Sequence, residues 1–386
     1  MLSKSVESFF LGLSVLMLVV GGMAIEQSFA VIRGDCSNCH TMHNSQNGQP
    51  MATYYSANQT SSGPNDLLTR GTCLGCHAQG GSSEIITIGP DRIPQVYHNA
   101  AEDLAGGNFA YITGAKGDGA SDNKGHNIIE LTGKDETLDG VVIPGGIKQI
   151  YHDAFIIYGT QSQHLTCAGP NGCHGIRPAS SPIKSLQGAH HGNVDGKLDN
   201  PTTVAASYRF LFGVKGLESP NWKNESPTVH NEYFGRTTPV KLGCSDVSCH
   251  GSQSVRPPDG TMSQFCATCH GNFHTLSTST SDGVGAVASS PFIRHPTDWA
   301  LPNEREYAAY TNYSVEAPIA RTGSVPDAPS STVTPGTDAV MCLSCHYAHA
   351  SNYDDMLRWD YSKMVAGNAG SAAGTGCFVC HTTKDD

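Results

Sequence analysis

Seven times along the 386 residues a histidine directly follows the second cysteine of a close pair, and these pairs account for all 14 cysteines. The pairs are Cys36/Cys39, Cys73/Cys76, Cys167/Cys173, Cys244/Cys249, Cys266/Cys269, Cys342/Cys345 and Cys377/Cys380; the histidines are His40, His77, His174, His250, His270, His346 and His381. Two thiols and an adjoining imidazole on one short turn are what a c-type haem requires. The thiols form thioethers with its vinyl groups, and the imidazole swings under the ring to bind iron. Disulfides or structural zinc would also pair cysteines, but neither fixes a histidine at one position. With 18 histidines in the chain, seven coincidences out of seven have a chance probability on the order of 10⁻⁹. The expectation is seven covalently attached haems c.

Five pairs have the plain CxxCH spacing, whereas five residues separate Cys167 from Cys173 and four separate Cys244 from Cys249. In the former, Gly169, Pro170, Asn171 and Gly172 are turn formers that fold the surplus back, so that both sulfurs face one haem edge.

Eleven histidines remain: His43, His98, His126, His152, His164, His190, His191, His230, His274, His295 and His349. They suffice to give every iron a second imidazole. Methionine, the other usual sixth ligand, occurs only six times after residue 30, so bis-histidine, low-potential haems are expected. The pattern C-x-x-C-H-x-x-H runs from Cys36 to His43 and from Cys342 to His349, with a one-residue-longer version from Cys266 to His274. Three extended residues reach at most about 10 Å, too little to bring a second imidazole round the same macrocycle. His43, His349 and His274 are therefore expected to bind the iron of a different haem, each tying two haems together. The other preferred candidates are His126 in Lys-Gly-His-Asn-Ile, one of His190 and His191, His230 in His-Asn-Glu-Tyr and His295 in Arg-His-Pro, with His98, His152 and His164 in reserve. A lone loop histidine is ordinarily a surface or core residue; seven irons in need of partners change that for the pool, not for any one member.

The scaffold that must hold these groups is lean. Hydrophobic residues make up 38% of the chain, Gly, Ser, Thr, Asn and Pro abound, and no large aliphatic core is available. The expected fold class is a multihaem cytochrome c: mostly irregular loops with few short helices wrapped around a chain of closely packed haems, with minimal β structure. Helical patterns are limited to pieces such as residues 303–313 and 354–365. Residues 1–30 carry Lys4, an apolar run over 9–25, and Ser28-Phe29-Ala30, and read as a secretory signal peptide cleaved after Ala30; the alternative is a retained membrane anchor. Residues 31–386 then form one heptahaem domain, with haems 1–2 in 31–150, haems 3–4 in 151–260 and haems 5–7 in 261–386. A formal charge of −11 argues against nucleic-acid or anionic-membrane partners. Arg294, beside His295, is a candidate for pairing with a haem propionate.

Several stretches resemble the multihaem cytochromes on the surface of metal-reducing bacteria, of the OmcS filament type. They are Cys36-Ser-Asn-Cys-His-Thr-Met-His-Asn-Ser45, Gly106-Gly-Asn-Phe109, Lys124-Gly-His-Asn-Ile128, Tyr208-Arg-Phe-Leu211, Arg294-His-Pro296, Cys342-Leu-Ser-Cys-His-Tyr-Ala-His-Ala-Ser351 and Cys377-Phe-Val-Cys-His-Thr-Thr-Lys384. The resemblance covers most of the mature chain in islands. It implies a subunit that polymerises, with His43 binding a haem of the neighbouring subunit. That family type has six haems and this chain seven motifs, the Cys244 site being the apparent addition. The leading expectation is an exported carrier, extracellular or on the outer-membrane surface and alternatively periplasmic. It would exchange electrons with other cytochromes and self-associate through His43. The alternative is a multihaem reductase of nitrite, hydroxylamine or a sulfur oxyanion, which would keep one iron open; a third reading gives the haems a mainly structural role.

Overall fold

The structure, a computed structural model, describes residues 34–50, 53–54, 59–60, 64, 68–79, 81–132, 148–149, 152–153, 165–169, 172–175, 182–186, 211, 213–239, 260–274 and 294–385. The expected signal peptide, the Cys244/Cys249/His250 site, Pro170, Asn171, His164, His190 and His191 lie outside the described residues. Among the described residues the longest helix is Met262–Ala267 and the longest strands have four residues, and no helix is long and apolar enough to cross a membrane. The expectation of irregular loops with few short helices holds.

The small sheets that do form have local causes. Ile85–Ile88 and Asp91–Pro94 pair antiparallel with Ile88 opposite Asp91, which leaves a two-residue turn whose first residue, Gly89, has φ +60°; a glycine there suits the twist of a tight hairpin. Among the described residues Val214–Lys215, Glu232–Gly235 and Arg321–Thr322 make the largest sheet, with three strands.

The first predicted helix is replaced by one 3₁₀ turn and the second by two, and the reason is competition from neighbouring backbone. In 303–313 only Arg305–Tyr307 is helical, because the N–H of Tyr313 donates to Ser331 O and that of Val333 to Thr311 O, drawing the segment into a bridge with 331–333. In 354–365 the turns Asp354–Met356 and Tyr361–Lys363 flank Leu357 and Arg358, which pair with the haem-motif residues His346 and Cys345.

Among the described residues three modest apolar clusters form in place of one core. Leu301, Tyr310, Tyr313, Ile319, Val333, Trp359 and Val379 make one, with Cys345, Cys377 and Cys380 on its rim. Leu74, Phe109, Tyr111, Ile112 and Ile128 make a second, bordered by Cys167. Val214, Tyr233, Met262, Ala320 and Met341 make a third, bordered by Cys266. Each cluster thus ends at cysteines of the attachment motifs.

Candidate haem sites

A CxxCH motif becomes an attachment site by folding as one helical turn, which places residues three apart on the same face. Cys36–Asn38 is a 3₁₀ turn, Cys73–His77 and Cys342–Cys345 are short α-helices, Gly376–Val379 is a 3₁₀ turn, and Cys266 lies in the helix Met262–Ala267. The histidine N–H donates to the carbonyl of the first cysteine at 2.7 Å for His40, 3.1 Å for His270 and His346, and 3.0 Å for His381.

The fifth motif, like the first and the seventh, has its second cysteine just past the end of the helix. Its helix ends at Ala267, so Cys269 lies beyond the helix that carries Cys266, in a turn closed by its N–H on Cys266 O at 3.1 Å. The half-buried Cys269 sulfur stands 4.0 Å from Thr268 Oγ1. That hydroxyl already donates to Phe265 O at 2.7 Å, so the Cys269 thiol is the donor in this contact. Thr268 meets Phe265 O through both its hydroxyl and its N–H, at 2.7 and 3.2 Å, where the helix ends. A thioether has no S–H, and attachment of haem at Cys269 would exchange this weak bond for a covalent one.

The longer Cys167 motif is built differently. Thr166–Ala168 and Gly172–His174 lie parallel, with Gly172 opposite Thr166 and His174 opposite Ala168. A Cβ on Gly172 would sit 2.5 Å from Ala168 backbone atoms, so the glycine is required for the chain to double back. No disulfide joins the cysteines among the described residues.

The attachment thiols form a series. The charge of Cys39 acts on Cys76; Cys73 and Cys167 share a hydrogen bond that lowers the Cys73 thiol and raises that of Cys167. Cys173 acts on Cys266, as does Cys269 of the same motif. Cys266 and Cys342 share a second hydrogen bond, which brings Cys342 down to about 7 and raises Cys266. Burial first, then the charge of Cys377, pushes Cys345 up to about 12, and burial with the charge of Cys345 does the same to Cys380. The first, second, third, fifth, sixth and seventh sites therefore adjoin in sequence order.

The imidazoles are set by a weave of three segments. The N–H of His349 donates to Gly106 O at 2.8 Å, that of Asn108 to Ala350 O at 3.0 Å, that of His126 to His349 O at 3.0 Å and that of Ser351 to Lys124 O at 3.0 Å. The approach is close because glycines make it: a Cβ on Gly106 would lie 3.1 Å from the His349 ring, and one on Gly125 2.4 Å from Ala350 Cβ. Phe109 stacks on the His349 ring at 4.7 Å and 22°. In this way three of the stretches noted in the sequence, 106–109, 124–128 and 342–351, prove to be one structural unit.

The weave and the C-terminal turn bring sixth-ligand candidates opposite motif histidines. Ring centres are 6.1 Å apart for His126 and His270, 6.3 Å for His349 and His174, and 6.4 Å for His295 and His381. With metal–imidazole bonds of about 2 Å and the ring centre roughly 1 Å further out, two imidazoles on one iron stand about 6 Å apart. His349 faces a motif other than its own, as its spacing demands. Several rings have Nδ1 on a backbone carbonyl, among them His77 on Pro94 at 2.8 Å, His126 on Ala348 at 2.8 Å, His295 on Pro296 at 3.0 Å and His346 on Asp355 at 2.7 Å. Such a bond places the proton on Nδ1 and leaves Nε2 as the lone-pair nitrogen that binds metal. Burial lowers His77 and His346 and takes His126 down to about 4, with the charge of His270 adding to the last; the neutral ring is the ligating form. At the C-terminal site the Glu306 carboxylate lies 3.7 Å from both His381 Nδ1 and Lys384 Nζ.

Other candidates have different surroundings. His43 is exposed, with φ 52°, and beside it Met42 is 75% exposed. His230, expected as a ligand, is fully buried and stacks on Tyr313 at 3.7 Å; its Nδ1 lies 3.2 Å from Ser226 O and its Nε2 3.3 Å from Glu232 Oε1. Both of its nitrogens thus face protein oxygen. His98 is buried with Asn108 Nδ2 at 3.5 and 3.4 Å from its two nitrogens. His274 is buried with Nε2 on Asp298 Oδ2 at 2.9 Å. His152 lies in the strand His152–Asp153. Arg294 stands 5.3 Å over the Phe273 ring. The carboxylates of Asp298, Glu306 and Glu232 were not singled out in the sequence, where nothing in their spacing marks them.

These features fit haem c: thiol pairs bordering apolar clusters, imidazoles whose Nδ1 is held by a backbone carbonyl so that Nε2 is left for metal, and imidazole pairs at the separation one iron sets. Comparison with known proteins agrees. Residues 334–386, which hold the last two motifs, match the family described as a doubled CXXCH motif. The chain is 26% identical over 412 residues to the C-type cytochrome OmcS of Geobacter sulfurreducens, covering 92% of this chain and 86% of that protein. Two solved structures are similar at lower identity: the outer membrane cytochrome S filament from the same organism (18% identity, 93% of each chain, TM-score 0.41) and the OmcS nanowires seen by cryo-EM (22%, 91% of this chain and 92% of that one, TM-score 0.42). The chain is similar to the C-type cytochrome OmcS over most of its length, and its Cys/His motifs supply the thiols and imidazoles that would hold covalently bound haem c.

Proposed function

We propose that the protein is an exported conductor of electrons, in which seven bis-histidine haems form a continuous path and subunits join head to tail into a filament. The observation that carries this reading is the series of six described attachment sites, whose thiols act on one another in sequence order, by a shared hydrogen bond at Cys73/Cys167 and Cys266/Cys342 and by charge at the other steps. Outer-sphere transfer along such a path makes and breaks no bonds, so no substrate pocket is needed. When bound, haem supplies the one-electron couple; the chain's residues fix spacing, axial ligation and water exclusion. His126 with His270, His349 with His174 and His295 with His381 are the axial pairs we assign.

His43 and His346 are the ends of the proposed joint. His346 has its ring fixed by Asp355 O, and no imidazole among the described residues faces it as His126 faces His270. His43 is exposed on the opposite terminal segment, after a motif too short to let it reach its own iron. A contact between His43 of one copy and the His346 haem of the next is heterologous and repeats without closing. Similarity to OmcS, whose solved structures are described as filaments, supports this joint and an extracellular site of action. The deciding experiment is electron microscopy of the haem-loaded protein beside a His43→Ala variant. Filaments that vanish in the variant, with one haem per subunit becoming able to bind carbon monoxide, are expected. Discrete particles in both samples make the protein a soluble carrier, and stoichiometric carbon monoxide binding to the unaltered filament favours a reductase with an open iron.

A further inference from the structure

His98, His230 and His274 are all at most 1% exposed, yet their nitrogens are served differently. His230 has oxygen at both. His98 lies against the Asn108 amide. His274 has Nε2 on the Asp298 carboxylate at 2.9 Å, while its Nδ1 is buried with no hydrogen-bond partner. A buried ring nitrogen left without a partner costs about 1–3 kcal/mol, so a fold that seals one in does so for a group outside the polypeptide.

The surroundings identify that group. His274 closes the helical turn Gly271–His274, four residues after His270, and it interacts electrostatically with the thiol of Cys342, which itself bonds Cys266. The unpartnered nitrogen therefore lies among haem-attachment groups. Asp298 is fixed as a support. It is 0% exposed, its carboxylate accepts from the Thr261 hydroxyl and from the N–H of Arg236 at 3.3 Å, and its backbone sits at φ 51°, a conformation held by the surrounding structure.

We propose that Asp298 is a positioning residue for an axial haem ligand: it grips one nitrogen of His274 so that the other binds a haem iron, and its negative charge makes that imidazole a stronger donor. This rests on the reading of the chain as an imidazole-ligated multihaem conductor. A carboxylate behind a ligating histidine raises its basicity and favours ferric iron, so this haem becomes the lowest in potential among otherwise similar neighbours.

The test is Asp298→Asn in the haem-loaded protein, which keeps the shape and removes the charge. In a potentiometric titration followed by visible absorption, one haem is expected to shift upward by about tenfold in its reduction equilibrium constant, which is 59 mV for a one-electron couple. The low-spin electron paramagnetic resonance signal of one haem should move with it. A titration and spectrum superimposable on those of the unaltered protein overturn the proposal. His274→Ala should turn one haem high-spin and open it to carbon monoxide; a variant with every haem still low-spin overturns it too. Failure of the underlying reading shows separately, as an unaltered protein without low-spin imidazole-ligated haem.

Discussion

At the scale of single residues, partners decide which imidazole binds iron. His126 and His295 each bond a backbone carbonyl through Nδ1 and stand at 6.1 and 6.4 Å from a motif histidine, so His126→Ala and His295→Ala should each convert one low-spin haem to a high-spin form that takes up carbon monoxide. Magnetic circular dichroism counts the high-spin haems directly. His230→Ala should behave oppositely. Its ring is stacked on Tyr313 and bonded at both nitrogens, and Glu232, which it helps satisfy, also accepts from Arg321 at 2.8 Å and from Ser330 N–H at 2.7 Å. Burial pushes Glu232 up, but these hydrogen bonds outweigh it and hold the carboxyl below its ordinary value. Losing the ring therefore removes packing and leaves a buried carboxylate short of a donor, at about 2–4 kcal/mol, while all haems stay low-spin. A high-spin haem in His230→Ala would return His230 to the ligand set.

At the scale of elements, the sequence was most legible where covalent chemistry dictates spacing. The CxxCH turns, the lack of long helices and the inability of His349 to serve its own iron follow from residue types and chain reach. The failed helix at 303–313 did not, because what unwound it is the backbone of 331–333, invisible to local periodicity. Nor could spacing reveal that 106–109, 124–128 and 342–351 form one weave, or that Asp298 reaches His274 from 24 residues away. The weave makes its own prediction. Gly125→Ala would press a methyl against Ala350 Cβ and to within 2.8 Å of His349 O, forcing apart the strands that hold His126 and His349, so the haems of His270 and His174 should both change spectrum. Change at one haem alone would show that the two ligands are set independently. A second element carries a pH dependence. Burial raises the Glu218 carboxyl to about 8, against hydrogen bonds from its own backbone and from Asn231. Its folded form therefore holds a proton that the unfolded chain releases near pH 4.5. Stability should fall as pH rises from about 4.5 to 8, and Glu218→Gln should melt with a flatter pH profile over that window; an unchanged profile would assign the dependence elsewhere.

At the scale of the molecule, order along the path matters more than haem number. Intact mass of the mature protein should show seven haems and a start after Ala30, which tests the Cys244 site along with the other six. The series of thiols makes a sharper demand. The first site adjoins the second through Cys39 and Cys76, and the seventh adjoins the sixth through Cys345, Cys377 and Cys380. Deleting an end haem should leave the remainder one connected conductor, whereas deleting the second should strand the first. After reduction by less than one electron per molecule, a connected set of haems settles internally, at a rate independent of protein concentration. A stranded haem exchanges only by collision, at a rate proportional to concentration. Cys377→Ala with Cys380→Ala should keep the concentration-independent phase intact, and Cys73→Ala with Cys76→Ala should acquire a concentration-dependent one. Equal behaviour of the two variants would mean that the first haem has a second route into the path, through the assembled neighbour or through the Cys244 site, and the linear order would give way to a branched one.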